Sequence, residues 1–335
     1  MKWIKPQYIA FLIVLLLNFA LFRGFFTISI QDGRLFGSLI DVFNRGAPVA
    51  ILAVGMTAVI ATKGVDLSVG AVMAVAGAVA ASLIQSGQPL GIVILAALGI
   101  GLLCGLWNGF LVAVLDLQPI IATLILMVAG RGIAQLMTEG RIVTFNDPGL
   151  IYIGSGALLT IPMPVVIAGV LMVVATLIMR RTALGLFIES IGVNRSASTY
   201  AGLRSKTLLI GVYAFCGLCA SIAGLIAAAD IRGADANNAG LWLELDAILA
   251  VVIGGTSLLG GRFSIPLSVL GALIIQGMNT GILLSGFPSE FNLIVKAFVV
   301  IVILMVQSPI VGNILTFMRP TPAPTAVPAP GEKTS

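Results

Sequence analysis

The chain reads as an all-α, polytopic transmembrane helical bundle of about ten spans, within a range of about eight to ten, and three observations predict it. Of its 335 residues, 59% are hydrophobic and only 9% charged, and the mean hydropathy is +1.13, so water cannot be the main solvent. Apolar runs of roughly 20 residues recur from Tyr8 almost to Pro309, the length that crosses hydrocarbon as a helix. Runs such as 71–81 and 165–179 lack the apolar and polar alternation that a spanning barrel requires.

Taken in order, the first run is 8–25, preceded by Lys2 and Lys5; no small-residue cleavage site follows at Arg23 and Gly24, so it reads as a retained span. The next runs fall at 47–61, 68–86, 90–114, 119–138, 161–179, 207–229, 245–259, 265–285 and 292–308. The eighth is short and ends in glycine, and only 62–67 separate the second from the third, which leaves room for re-entrant segments. The expected domain is 1–318, followed by a Pro- and Ala-rich tail, 319–335, that favours extended or disordered chain.

Basic residues near span ends are retained on the cytoplasmic side. With the N-terminus inside, eleven of the 18 fall inside, from Lys2 and Lys63 through Arg180, Arg181, Arg195, Arg204, Lys206 and Arg262 to Lys333. Five fall outside, at Arg23, Arg34, Arg45, Arg141 and Arg232, with Asp147, Asp230, Asp235 and Glu290 beside them. Both termini are therefore expected in the cytoplasm. The pI near 9.4 follows from this bias and from membrane lipid as the neighbour, and calls for no nucleic acid.

Helices in lipid gain nothing by hiding leucine, so close packing needs small residues. The chain has 39 glycines, with stripes at Gly101, Gly105 and Gly109 and at Gly70, Ala74 and Ala78. Four polar residues are candidates for a translocation path or gate: Asp66, Asn108, Arg131 and Asn279. Each has a structural alternative, because Asp66 and Ser68 can cap a helix, Arg131 can bind carbonyls of a neighbouring helix, and the amides can bridge helices. Lys296 is close enough to a span end to snorkel.

Absences matter as well. There is no His, and no Asp or Glu is expected in mid-bilayer, which disfavours a proton-coupled carrier. A phosphate-binding loop of the Gly-x-x-x-x-Gly-Lys-Ser/Thr type is missing, so ATP hydrolysis is not expected on this chain. No metal-ligand cluster, cofactor motif or nucleophile–base pair appears, and Cys104, Cys216 and Cys219 read as packing residues.

The longest expected cytoplasmic loop is 180–206, and its stretch from Glu189 to Gly202 suits a short helix lying across the inner face. The pattern Arg-Arg-Thr-Ala-Leu-Gly-x-x-Ile-Glu-Ser-Ile-Gly-Val-Asn from Arg180, followed by Ala201-Gly202, resembles the coupling loop of permeases in sugar-importing ABC transporters of the ribose, xylose and arabinose group. Gly64-Val-Asp-Leu-Ser-Val-Gly70, Leu106-Trp-Asn-Gly109, Gln118-Pro-x-x-Ala-Thr-Leu124 and Ile253-Gly-Gly-Thr-Ser-Leu-Leu-Gly-Gly-Arg262 extend that resemblance over nearly the whole chain. The stretch from Ala229 to Asp246 looks closest to galactofuranose importer permeases.

The resemblance implies a permease of the bacterial inner membrane, homo- or heterodimeric, docked on a two-domain ABC ATPase and fed by a periplasmic sugar-binding protein. It implies ATPase-coupling roles for Glu189, Gly192, Asn194, Ala201 and Gly202, with Ser196, Ser198 and Thr199 standing where relatives usually carry alanine. The outer loop would present Asp230, Arg232, Asp235, Asn237 and Asn238 to the receptor. The rival reading is a sugar channel or secondary carrier that works without an ATPase; a membrane enzyme fits least.

Overall fold

The computed structural model describes residues 6–298 apart from 23, 32, 287, 289, 290 and 292. Contacts divide the chain into a unit over 1–289 and a second over 290–335, of which helical residues 291 and 293–298 are described. Most of the expected last span, Glu290 and the tail 319–335 thus lie outside the described residues.

In chain order the first unit contains α1 (Pro6–Leu21), the hairpin β1 (Ser29–Gln31) and β2 (Arg34–Phe36), α2 (Ser38–Ala61), α3 (Val69–Gln85), α4 (Leu90–Ala113) and α5 (Pro119–Met137). Next come β3 (Val143–Thr144), α6 (Pro148–Ser155), the hairpin β4 (Ala157–Leu158) and β5 (Ile161–Pro162), and α7 (Met163–Arg181). The short helices α8 (Leu184–Val193) and α9 (Arg195–Tyr200) precede α10 (Ser205–Asp230), β6 (Gly233–Ala234), α11 (Leu243–Ile253) and α12 (Ile265–Leu284). Prolines stand in the first turn of α5, α6, α7 and α12, where their missing N–H costs no hydrogen bond.

Six of these helices, α2, α4, α5, α7, α10 and α12, are long and apolar enough to cross a bilayer, so the protein is integral to the membrane. α1 and α3 have 16 and 17 residues. The expected eighth span is a half-length helix: α11 has 11 residues, about 16 Å of rise, and the glycine-rich residues 254–264 form a turn. α2 begins at Ser38 rather than near 47, taking in Asn44 and Arg45, and Gly46 in this added part lies against Gln276 and Leu273 of α12.

The helix ends sort to two poles. At one, the turns 62–68, 114–118 and 254–264 meet α8 and α9: the Gly261 amide donates to the Ala61 carbonyl at 2.9 Å and Lys63 Nζ to the Val193 carbonyl at 3.2 Å. At the other, Arg34 donates to the Ser155 carbonyl at 2.8 Å, and β3 pairs antiparallel with β6. We call these the elbow end and the hairpin end.

α2 and α10 form the centre and are mostly buried, whereas α4, α5 and α7 are mostly exposed although α4 is the more apolar. That inversion is expected where hydrocarbon, not water, is outside. Glycine stripes make the close approaches: Gly101, Gly105 and Gly109 of α4 seat against Gly217, Tyr213 and Ile210 of α10, leaving no room for a Cβ. Cys216 and Cys219 are buried free thiols beside Gly55.

Candidate functional site: the elbow and the re-entrant segment

Two regions bring the sequence candidates together. The first is the elbow. The expected single surface helix is two, α8 and α9, broken at Asn194, whose extended backbone (φ −154°, ψ 102°) and side-chain oxygen, accepting from the Ala197 amide at 3.0 Å, start α9. Gly192 is buried with its Cα against the Ala61 carbonyl and the Gly261 amide, so it is a packing contact and offers nothing to a docking partner. Glu189 is half-buried on α8, while Asn194, Ala201 and Gly202 are exposed, Gly202 with φ +88° in open space.

Arg195 fastens α9 to the end of α4. Its guanidinium pairs with Asp116 at 2.9 Å and donates to the Ala113 carbonyl at 3.1 Å, where the helix dipole favours a cation. Of the three elbow hydroxyls at 196, 198 and 199, Ser198 is buried and donates to the Asn194 carbonyl, and Thr199 bonds the Arg195 carbonyl and Ser205. Only Ser196 keeps its side chain for the surface without such a bond. Tyr200, 92% exposed at the tip of the elbow, is a candidate that motif matching passed over; its position one residue before Ala201-Gly202, in a polar helix with nothing to bury it, was the available signal. A groove of about 440 Å³ separates the elbow from the ends of α4 and α5, lined by Lys63, Gln118, Asn194 and Tyr213 among others.

Just inside the elbow end, Asp66, Ser68 and Asn108 form one buried cluster. Asp66 Oδ1 accepts from the Ser68 amide (2.9 Å), the Ser68 hydroxyl (2.6 Å) and Asn108 Nδ2 (3.3 Å), and Asn108 also donates to the Ser68 hydroxyl at 2.8 Å. The expected capping role holds for one of the pair: Asp66 accepts from the Ser68 amide just before α3, whereas Ser68 makes no side-chain bond to the first turn, and both residues also tie the α2–α3 turn to α4. Thr123 of α5 holds the same turn through the Leu67 amide at 3.2 Å.

The second region is 231–242, within the stretch from Asp230 to Asp246 expected as a receptor-facing outer loop. Asp230 and Arg232 do lie at the hairpin end, exposed, with the Arg232 carbonyl accepting from Phe145. Beyond them the chain turns back into the bundle. Ala236 packs with Ala74, Val75 and Ala78 of α3 and Ala134 of α5, and Gly240 presses on Gly70, one residue from the start of α3. This is a re-entrant segment leading into a half-length helix.

Arg131 is what pins it. One guanidinium nitrogen donates to the Ala236 carbonyl at 2.9 Å and the Ala239 carbonyl at 2.6 Å, carbonyls of the segment rather than of a helix. One turn on, Gln135 donates to the side chain of Asn237 at 2.9 Å, and Asn237 to the Gly140 carbonyl at 3.2 Å. Asp235 accepts from Asn238 Nδ2 at 2.8 Å and from the amides of Asn237 and Asn238.

The segment also corrects the expected absence of buried acids. Glu244 and Asp246, in the first turn of α11, are both buried, the former with a carboxylate oxygen against Gly70. Glu244 reads as a loop residue and Asp246 as the second residue of the eighth run, at its edge; the fold carries both inward. Asn279 lies apart on α12, half-buried, with its side-chain oxygen enclosed and unpartnered among the described residues. Among those residues no group of His, Cys, Asp and Glu is arranged to hold a metal ion.

Residues 38–304 match the family model described as branched-chain amino acid transport system / permease component. The chain is 63% identical over 303 residues to the galactofuranose transporter permease protein YtfT of Escherichia coli (strain K12), covering 90% of this chain and 89% of that protein. It is 42% identical to the fructose import permease protein FruF of Bifidobacterium longum (strain NCC 2705), covering 93% and 89%, and 38% identical to the ribose import permease protein RbsC of Escherichia coli (strain K12), covering 91% and 94%. No solved structure matches. A membrane-crossing bundle with a surface elbow at one pole and a re-entrant segment entering from the other, matched over most of its length by permeases, belongs to the branched-chain amino acid transport system / permease component family.

Proposed function

We propose that the chain is the path-forming permease of an ATP-driven sugar importer in a bacterial inner membrane, with both termini and the elbow on the cytoplasmic side. The substrate class is a hexose or pentose, and galactofuranose is favoured by the 63% identity to a permease named for it. Its partners are a two-domain ABC ATPase, a periplasmic sugar-binding protein and a second permease, identical or not.

The observation that carries this reading is the construction of the elbow. Its outward surface, Val193, Ser196, Tyr200, Ala201 and Gly202, is exposed, while its inward surface meets backbone directly at Ala61 and Gly261. A push on such a lever cannot be absorbed by side chains, because none intervene at Gly192. Through Ala61 and Lys63 it reaches α2; through Arg195, α4; through Gly261, the turn that precedes α12. From the α2–α3 turn, the Asp66 cluster and the Gly70–Gly240 contact continue to the re-entrant segment.

The buried Glu244 and Asp246 give one specific reason to weigh a proton-coupled carrier beside this reading. Reconstitution separates the two. Vesicles holding the permease, the ATPase and the binding protein should accumulate labelled galactose only with ATP inside reach of the ATPase. Accumulation driven by a pH gradient in vesicles holding the permease alone would overturn the proposal.

A further inference from the structure

We propose that the open side of the re-entrant segment, Asn237, Asn238 and Trp242, is the sugar-contacting wall of the water-filled path. The inference rests on the transporter reading above but deepens it, since nothing in the family assignment says which surface of the bundle meets the solute.

Depth comes first. Arg131 stands twelve residues beyond Pro119 at the start of α5, about 18 Å along that helix, and it holds Ala236 and Ala239 at its own level. Gly240 is at that level too, against Gly70 of α3, since Gly130 beside Arg131 meets the next residue, Ala71. The segment at that level is turn rather than helix. Irregular backbone at such depth is tolerated where it is buried in protein or faces water, and not against lipid.

Exposure decides which of these holds. One side of the segment, Ala234, Ala236, Gly240 and then Glu244, is buried against α3 and α5. The other side, Asn237, Asn238, Leu241 and Trp242, is exposed. Asn237 reaches the Gly140 carbonyl just past the end of α5, so the open face runs inward from the hairpin end; amides and non-helical backbone on it exclude hydrocarbon as the neighbour, and water entering from that end is the cover we propose.

The chemistry of that face suits a neutral sugar. Amides donate and accept toward hydroxyls, and an indole offers an apolar face for ring C–H groups with a donor at its edge. Trp242 is 51% exposed and sits in left-handed backbone, φ 65°, a conformation that a bulky residue keeps only where its surroundings over-determine it. The Asn237 amide is fixed by Gln135 and Gly140 and the Asn238 amide by Asp235, so the wall is rigid before any solute arrives.

The test uses the full-length chain carrying Cys104→Ala, alone in lipid vesicles, so it needs neither ATPase nor transport. Trp242→Cys and Asn238→Cys are exposed to a positively charged methanethiosulfonate and, separately, to an apolar maleimide; Val170→Cys, on the exposed apolar face of α7, is the control. Because only a hydrated thiol ionises and reacts, both sites should be labelled by the charged reagent at least about tenfold faster than the control. Labelling by the maleimide alone would mean lipid contact, and labelling by neither would mean a protein cover; either overturns the proposal. In the complete transporter, Trp242→Ala should shift the ratio of galactose to ribose uptake while Trp242→Phe keeps it, and an unchanged ratio in Trp242→Ala would overturn the sugar contact. Failure of the intact assembly to transport sugar counts against the function proposed above and leaves the labelling result standing.

Discussion

Two arginines do similar work at different depths. Arg195 fastens the elbow to Asp116 and the Ala113 carbonyl, and Arg131 fastens the re-entrant segment to the Ala236 and Ala239 carbonyls. The Arg195–Asp116 pair has side chains 36% and 80% exposed, so water and salt replace most of what it contributes. Arg131 is half-buried within the bundle, where its two acceptors have no comparable substitute. The same residue type is thus a trimming on one segment and a structural tie on the other, and depth makes the difference.

The largest effect that would sharpen this comparison comes from the backbone contacts beneath each arginine. A Cβ at Gly192 would meet the Ala61 carbonyl, and one at Gly70 the Gly240 carbonyl, neither of which can step aside cheaply. Gly192→Ala and Gly70→Ala should each destabilise by roughly 1–3 kcal/mol or more, lowering the temperature at which the detergent-purified protein aggregates. Gly99→Ala on α4, with nothing within 4 Å, should leave stability unchanged or raise it by up to about 1 kcal/mol. A substitution such as Gly192→Trp therefore reports on packing before it can report on coupling.

Next in size is Arg131→Met. Two part-buried carbonyls lose their shared donor, at about 1–3 kcal/mol in all, and Arg131→Lys should recover part of that. Limited proteolysis would show the consequence as new cleavage within 231–242. Asn108→Ala should follow, at about 1–3 kcal/mol, because its amide reaches both Asp66 and Ser68. The smallest effect is Arg195→Ala, about 0–1 kcal/mol, read in the same thermal assay at low and high salt. Equal losses for Arg131→Met and Arg195→Ala would break the comparison.

Much of this was legible beforehand. Apolar runs gave the helices, and the basic residues at Arg180, Arg181, Arg195 and Arg204 marked the elbow, because charge retained at a span end needs no tertiary knowledge to be read. The glycine stripe of α4 announced a close partner though not that the partner is α10. What stayed hidden was the inward course of 233–242. Asn237, Asn238 and Asp235 look solvated in any local window, and only the bonds from Arg131 to Ala236 and Ala239, more than a hundred residues away in sequence, show the segment turning into the bundle. Glu244 and Asp246 were missed for the same reason, and the bond between Asp66 and Asn108 stayed hidden because Asn108 is on another helix.

The central claim is that an outside motor acts on the exposed tip of the elbow. The most direct measurement is the ATP hydrolysis rate of the partner ATPase with the permease and sugar-loaded binding protein present, comparing the natural chain with Tyr200→Arg. Tyr200 is 92% exposed, so the variant should melt at the natural temperature while sugar-stimulated hydrolysis falls toward the rate of the ATPase alone. Full stimulation by Tyr200→Arg would contradict the account.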